Sequence, residues 1–154
     1  MLKRLIPYLL LLSLFSKAQL FQHYYRHLTT QDGLPSNTIY AMTQDKHGAM
    51  YFGHEDGIVR YNGSKFENFK NPGIGKSLSD PVEADDGTIL TSSFYGDVVK
   101  LKGDSITLLQ IPFTDSSKRR IFRKCGNRIF LNSQNQLFEY SHKTFNEIKF
   151  SKAN

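Results

Sequence analysis

Phe94 and Tyr95 place two aromatic rings side by side at a turn, where small polar residues are the rule. Exposed rings flanked by hydrogen-bonding groups suit a sugar or a peptide ligand. The plainer reading folds one ring back onto the core. The groups that could flank them are Asn37, His54, Glu55, Lys118 and Gln134, widely separated along the chain. A candidate ligand site exists only if the fold gathers their loops.

Other chemistries find less support. No Gly-x-Ser-x-Gly elbow and no paired-carboxylate motif is present, so neither acyl transfer nor glycoside hydrolysis has a recognisable centre. The chain reads as a non-enzyme with no cofactor. His23 and His27 share a strand face but stand roughly 13 Å apart along it, too far to share a metal. His47, His54 and His142 stand alone at turns. The turns from Asp45 to Gly48 and from Asp85 to Gly87 offer one or two carboxylates each, whereas calcium takes about six to eight converging oxygens. Turn capping by Asp, with Gly supplying positive φ, explains them better. Lys118, Arg119, Arg120, Arg123, Lys124 and Arg128 form a basic cluster. Strand alternation sends Lys118, Arg120 and Lys124 to one face and Arg119 and Arg123 to the other. A solvated rim is the plain reading, and contact with an acidic glycan or partner is the functional one.

The elements that would position these residues come from a repeat. Gly48 is matched by Gly87 and Gly57 by Gly96, each 39 residues later, while Tyr61, Leu101 and Tyr140 recur at steps of 40 and 39. Each unit is a meander of short strands, turned at Asp-x-x-Gly, Asp-Gly and Asn-Gly in the first unit, at Asp86-Gly87 and Tyr95-Gly96 in the second, and at Gly126-Asn127, Asn135 and His142-Lys143 in the third. Four strands every 40 residues or so predict a β-propeller blade, not a helical solenoid. The fold class is therefore all-β, with blades over 38–70, 77–113 and 118–150. In the second blade Asp80-Pro81 interrupts the first strand, since Pro cannot donate to a ladder. A further strand is expected over 20–30. Cys125 is the single cysteine, read as a small buried hydrophobe.

Residues 1–18 read as a signal peptide: Lys3 and Arg4, an 11-residue apolar run from Leu5 to Phe15, then Ser16-Lys17-Ala18. As a helix that run spans about 16 Å, roughly half a bilayer core. The protein is expected to be exported and periplasmic, as 19–154. Without Lys3, Arg4 and Lys17 the net charge of +6 falls to +3, too weak a field to argue for nucleic acid.

Propellers use about four to eight blades, so three blades with a loose strand make an incomplete array. The loose strand would be the outer strand of a closing blade lying elsewhere. An open arc exposes two sheet faces, which predicts the N-terminal piece of a longer protein or an incomplete gene product. Loops entering each first strand and turns joining second to third strands share one face of such an array. That face would collect Asn37, His54, Glu55, Phe94, Tyr95, Lys118 and Gln134.

Thr29-Thr30-Gln31-Asp32-Gly33-Leu34-Pro35-Ser36-Asn37, Gln44-Asp45-x-x-Gly48 and Phe52-Gly53-x-x-x-Gly57 resemble the two-component regulator propeller repeat. The first blade carries the match; the other two keep the turns. Tyr51 stands where the family usually has Trp, and His54 where it has Thr. The resemblance implies the extracytoplasmic sensor of a hybrid two-component system or sensor histidine kinase, with two seven-bladed propellers, a β-sandwich, a transmembrane helix and a cytoplasmic kinase. It implies an extracellular ligand, often an oligosaccharide, with the remaining blades and downstream kinase as partners; a full-length protein could dimerise. The alternative is a propeller enzyme or binding protein acting on extracellular polysaccharide.

Overall fold

The computed structural model describes residues 25–111, 119–133 and 136–150. The leader and Leu20 to Tyr24 lie outside the described residues, as do Lys118 and Gln134. Among the described residues, twelve strands form three antiparallel four-stranded sheets. The first holds β1 (Ile39–Gln44), β2 (Met50–His54), β3 (Gly57–Tyr61) and β4 (Phe66–Phe69). The second holds β5 (Ser79–Glu83), β6 (Ile89–Ser92), β7 (Val98–Lys102) and β8 (Ser105–Leu108). The third holds β9 (Arg120–Cys125), β10 (Arg128–Ser133), β11 (Gln136–Ser141) and β12 (Thr144–Ile148). Each sheet is a simple meander, and first strands β1, β5 and β9 lie next to one another in that order. The sheets stand as propeller blades in an arc.

Strand alternation builds the seams between blades. In β7, Val98 and Val99 point to opposite sides. Val99 joins Tyr51, Ile58, Leu78, Ile89 and Leu101 in the cluster between the first two blades. Val98 joins Val82, Leu90, Phe122, Ile129, Leu131 and Phe138 between the second and third. The middle blade is thus covered on both faces, and all of β6 is buried, as expected of a strand in a two-sided sheet. Each such side chain contributes about 1.5–3 kcal/mol of burial. Cys125, by contrast, is exposed, because it ends β9 beyond the seam.

Close approach explains two glycines. A Cβ on Gly53 would come within 2.5 Å of the Leu78 carbonyl oxygen, where the second blade meets the first. At Gly57, φ is +140° and a Cβ would meet the Phe69 carbonyl at 2.1 Å.

Residues 25–29 form no strand, and Thr30–Asp32 is a single 3-10 turn capped by Thr29. The expected strand over 20–30 is therefore wrong across its described part. Thr29 accepts the Gln31 N–H while Asp32 accepts the Thr29 N–H at 2.9 Å, and this local capping outcompetes an extended strand. The segment lies instead against the first blade. Arg26 Nη1 donates to Tyr61 Oη at 3.3 Å, Gly33 sits beside the Phe66 ring, and Leu34 is buried. Tyr61 and Val59 share the face turned away from the second blade, so this segment helps cover an end of the arc.

Candidate functional site

The richest constellation draws one or two residues from each blade. Tyr40 of β1 meets Phe94 edge-on, with centroids 4.8 Å apart and planes at 65°. The Arg119 guanidinium lies over the Phe94 ring, 4.9 Å from its centroid. Arg119 Nη2 also stands 3.6 Å from Asp80 Oδ2, and Arg123 Nη1 donates to Asp80 Oδ1 at 2.7 Å. Arg119 and Arg123 thus converge on one carboxylate, while Arg120 and Lys124 reach main-chain carbonyls of the same second blade. Arg120 is buried and donates to the Gly96 carbonyl; Lys124 Nζ donates to the Glu83 carbonyl at 2.8 Å.

Asp80 is held in an uncommon way. Its φ is +51°, and the β5–β6 register shifts between Ser79 and Val82. The Asp80-Pro81 pair does not break the strand; it makes a bulge inside it. Bulges re-aim side chains, and a non-glycine residue at positive φ costs of order 1–3 kcal/mol, a strain that concentrates at functional sites. The result is a carboxylate only 11% exposed, accepting from Ser79 Oγ at 3.0 Å and set between two guanidiniums.

Tyr95 stands beside this cluster, 63% exposed. Its ring packs over Gly75, where a Cβ would come within 2.6 Å of Tyr95 Cδ2. The loop beneath is fixed by Asp97, whose Oδ2 accepts from Gly75 N at 3.0 Å, Ser93 Oγ at 3.1 Å and Asn71 Nδ2 at 3.2 Å. Of the two adjacent rings, Phe94 is therefore half-buried in an aromatic–cation stack and Tyr95 is a presented face.

The remaining sequence candidates divide. Glu55 is exposed but accepts from Ser36 Oγ at 2.8 Å. Asn37 Oδ1 accepts from Thr30 N at 3.1 Å, so both brace the entry segment. His54 does not reach solvent, against expectation: it is 0% exposed. Its Nδ1 accepts the Asp56 N–H at 3.3 Å, which leaves Nε2 to donate to Asn68 Oδ1 at 3.0 Å. A turn residue whose ring is satisfied twice by its own sheet has no donor left for a ligand. Tyr40 and Asp80 were not identified as site residues from sequence, and Arg119 entered only as a member of the basic cluster. The bulge that re-aims Asp80 has one legible trace, the Pro that follows it inside a strand.

At the other end of the blades the Asp-Gly turns are capped. Asp45 Oδ1 accepts from His47 N and Ala49 N, both at 2.9 Å, and Asp86 Oδ1 accepts from Thr88 N at 3.1 Å. Among the described residues no group of three or more His, Cys, Asp or Glu converges on a point that could hold a metal. No helix among them is long and apolar enough to cross a membrane.

Solved structures resemble this arc. Virginiamycin B lyase from Staphylococcus aureus superposes with a TM-score of 0.63 at 16% identity, over 81% of this chain and 44% of the lyase. The extracellular domain of the hybrid two-component system protein BT4673 from B. thetaiotaomicron gives 0.59 at 22% identity, over 82% of this chain and 18% of that domain. The chain thus spans less than half of each. At these identities the likeness shows the propeller fold. No protein-family model and no curated protein matches the chain.

Proposed function

We propose that this chain is the ligand-binding part of an exported sensor of the two-component regulator propeller type, which takes an oligosaccharide at the Tyr40–Phe94–Arg119–Asp80 cluster. The observation that carries the reading is the convergence of these four residues from three blades. Tyr40 and Tyr95 offer ring faces for the apolar side of a sugar. Asp80, Arg119 and Arg123 offer an acceptor and fixed donors for hydroxyl groups, already held in place before binding. Support for the sensor role comes from the repeat motif in Thr29–Gly57, and a propeller sensor domain adopts a similar fold. In this reading the bound state is relayed to a kinase in a longer protein, with further blades as neighbours.

The test is a glycan array probed with the full chain, followed by titration of the best hit against Tyr40→Ala, Phe94→Ala and Arg119→Ala. Each substitution is expected to weaken binding by about tenfold, or about 1.4 kcal/mol. Hits that ignore all three substitutions sink the assignment. Cleavage of the bound glycan would instead make the protein an enzyme.

A further inference from the structure

At the opposite end of the blades, the seam between the second and third opens into a groove. One cavity of about 120 Å³ is lined by Asp86, Thr88, Lys100, Lys102, Leu109, Tyr140 and Lys143. It continues into a cavity of about 200 Å³ against the Ala84–Asp86 and Ser141–Lys143 turns. Lys143 lines both.

The charges here are unbalanced. The Lys102 and Thr88 hydrogen bonds hold the Asp86 carboxyl far below the usual range, so it stays ionised and its charge is offset by Lys102, paired with it at 2.9 Å. The side chains of Lys100, on the second blade, and Lys143, on the third, make no hydrogen bond or ion pair among the described residues. They nevertheless border the same small cavity. Tyr140 borders it too, and burial, then the Asp86 charge, raise its phenol pKa; it stays a hydroxyl donor at neutral pH.

The turn that presents Lys143 is unusual. His142 and Lys143 have φ of +50° and +64°, the geometry of a tight hairpin turn in which Asn-Gly is the comfortable choice. A sequence under pressure only to close the hairpin has no need of Lys there. We infer that this seam is a binding site for a compact oxyanion of the phosphate class, held by Lys100 and Lys143 from opposite walls with Tyr140 donating. Lysine suits it because an ammonium is a point-charge partner for phosphate and requires no bidentate geometry. The site is separate from the aromatic cluster and independent of the sugar reading.

Calorimetric titration of the full chain with inorganic phosphate, at ionic strength matched with sodium chloride, tests this. Saturable binding is expected, weakened about tenfold by Lys100→Gln and by Lys143→Gln, since a hydrogen bond to a charged group carries roughly that factor. The double variant His142→Asn with Lys143→Gly should raise the melting temperature by relaxing the turn and yet lose phosphate. Absence of saturation at millimolar phosphate, an equal response to chloride, affinity unchanged in the Gln variants, or selective binding of an acidic peptide over phosphate would each overturn the assignment.

Discussion

The Glu83 carboxylate, at the end of β5, accepts the main-chain N–H of Lys46 at 2.9 Å and so ties the second blade to the first turn of the first. Lys46 returns the contact, its Nζ donating to the Asp85 carbonyl at 3.3 Å. The other carboxylate oxygen, Oε1, is buried with no partner among the described residues. Glu83→Ala should therefore cost about 1–3 kcal/mol, because the Lys46 N–H loses its acceptor between the two blades. Glu83→Gln keeps an acceptor and should cost less than half as much. Thermal melts of the two variants decide it: equal losses would mean that charge, not the bond to Lys46, holds the seam.

Blade spacing gives a second prediction. Gly53→Ala drives a methyl into the Leu78 carbonyl, a backbone atom that cannot swing aside, and should destabilise by more than about 2 kcal/mol as the seam parts. Gly63→Ala is the control: its φ is +96°, yet nothing lies within 4 Å. That change should cost only about 1 kcal/mol of backbone strain. Similar losses at both positions would show that the tight approach at Gly53 matters little.

The repeat was legible because turn geometry leaves a chemical trace, with Gly48 and Gly87 both at positive φ and both capped by Asp. The seams were half legible: alternation said that Arg119 and Arg123 share a face, but not that the face holds Asp80 of another blade. Contacts such as Tyr40 with Phe94 depend on how sheets stack, and no local pattern encodes that. His54 misled because a turn position suggests solvent, whereas its ring is consumed by Asp56 and Asn68. The N-terminal strand misled because aromatic and β-branched content outweighed the Thr29–Asp32 capping pattern.

Acid should unfold the protein through a defined set of carboxylates. The Arg60 and Lys65 hydrogen bonds lower the Glu67 pKa, Arg128 lowers that of Glu139, and Lys102 then Thr88 lower that of Asp86. Each group binds protons more readily unfolded than folded. Its stabilisation is complete above the unfolded values of about 4 and drains away as pH falls through the folded ones. Melting temperature should be flat from neutral pH to about pH 5 and drop below about pH 4. Lys102→Met should flatten the acid limb while lowering the plateau. A drop that begins near pH 6 would point to histidine instead.

Asp80 permits the sharpest separation of stability from binding. Its backbone sits at φ +51°, a conformation that glycine adopts freely and asparagine tolerates better than most residues. Asp80→Gly relieves that strain but removes the acceptor shared by Arg119 and Arg123. Asp80→Asn keeps an oxygen in place and removes the charge. If the bulge exists to aim a carboxylate at a ligand, Asp80→Gly should melt within about 1 kcal/mol of wild type and still lose glycan binding, with Asp80→Asn intermediate. If the carboxylate serves only to quiet two neighbouring guanidiniums, both variants should lose stability in proportion to the ion pairs broken and bind as before. Melting and titration measured on the same samples distinguish the two cases, because strain relief and loss of an acceptor move the two readouts in opposite directions.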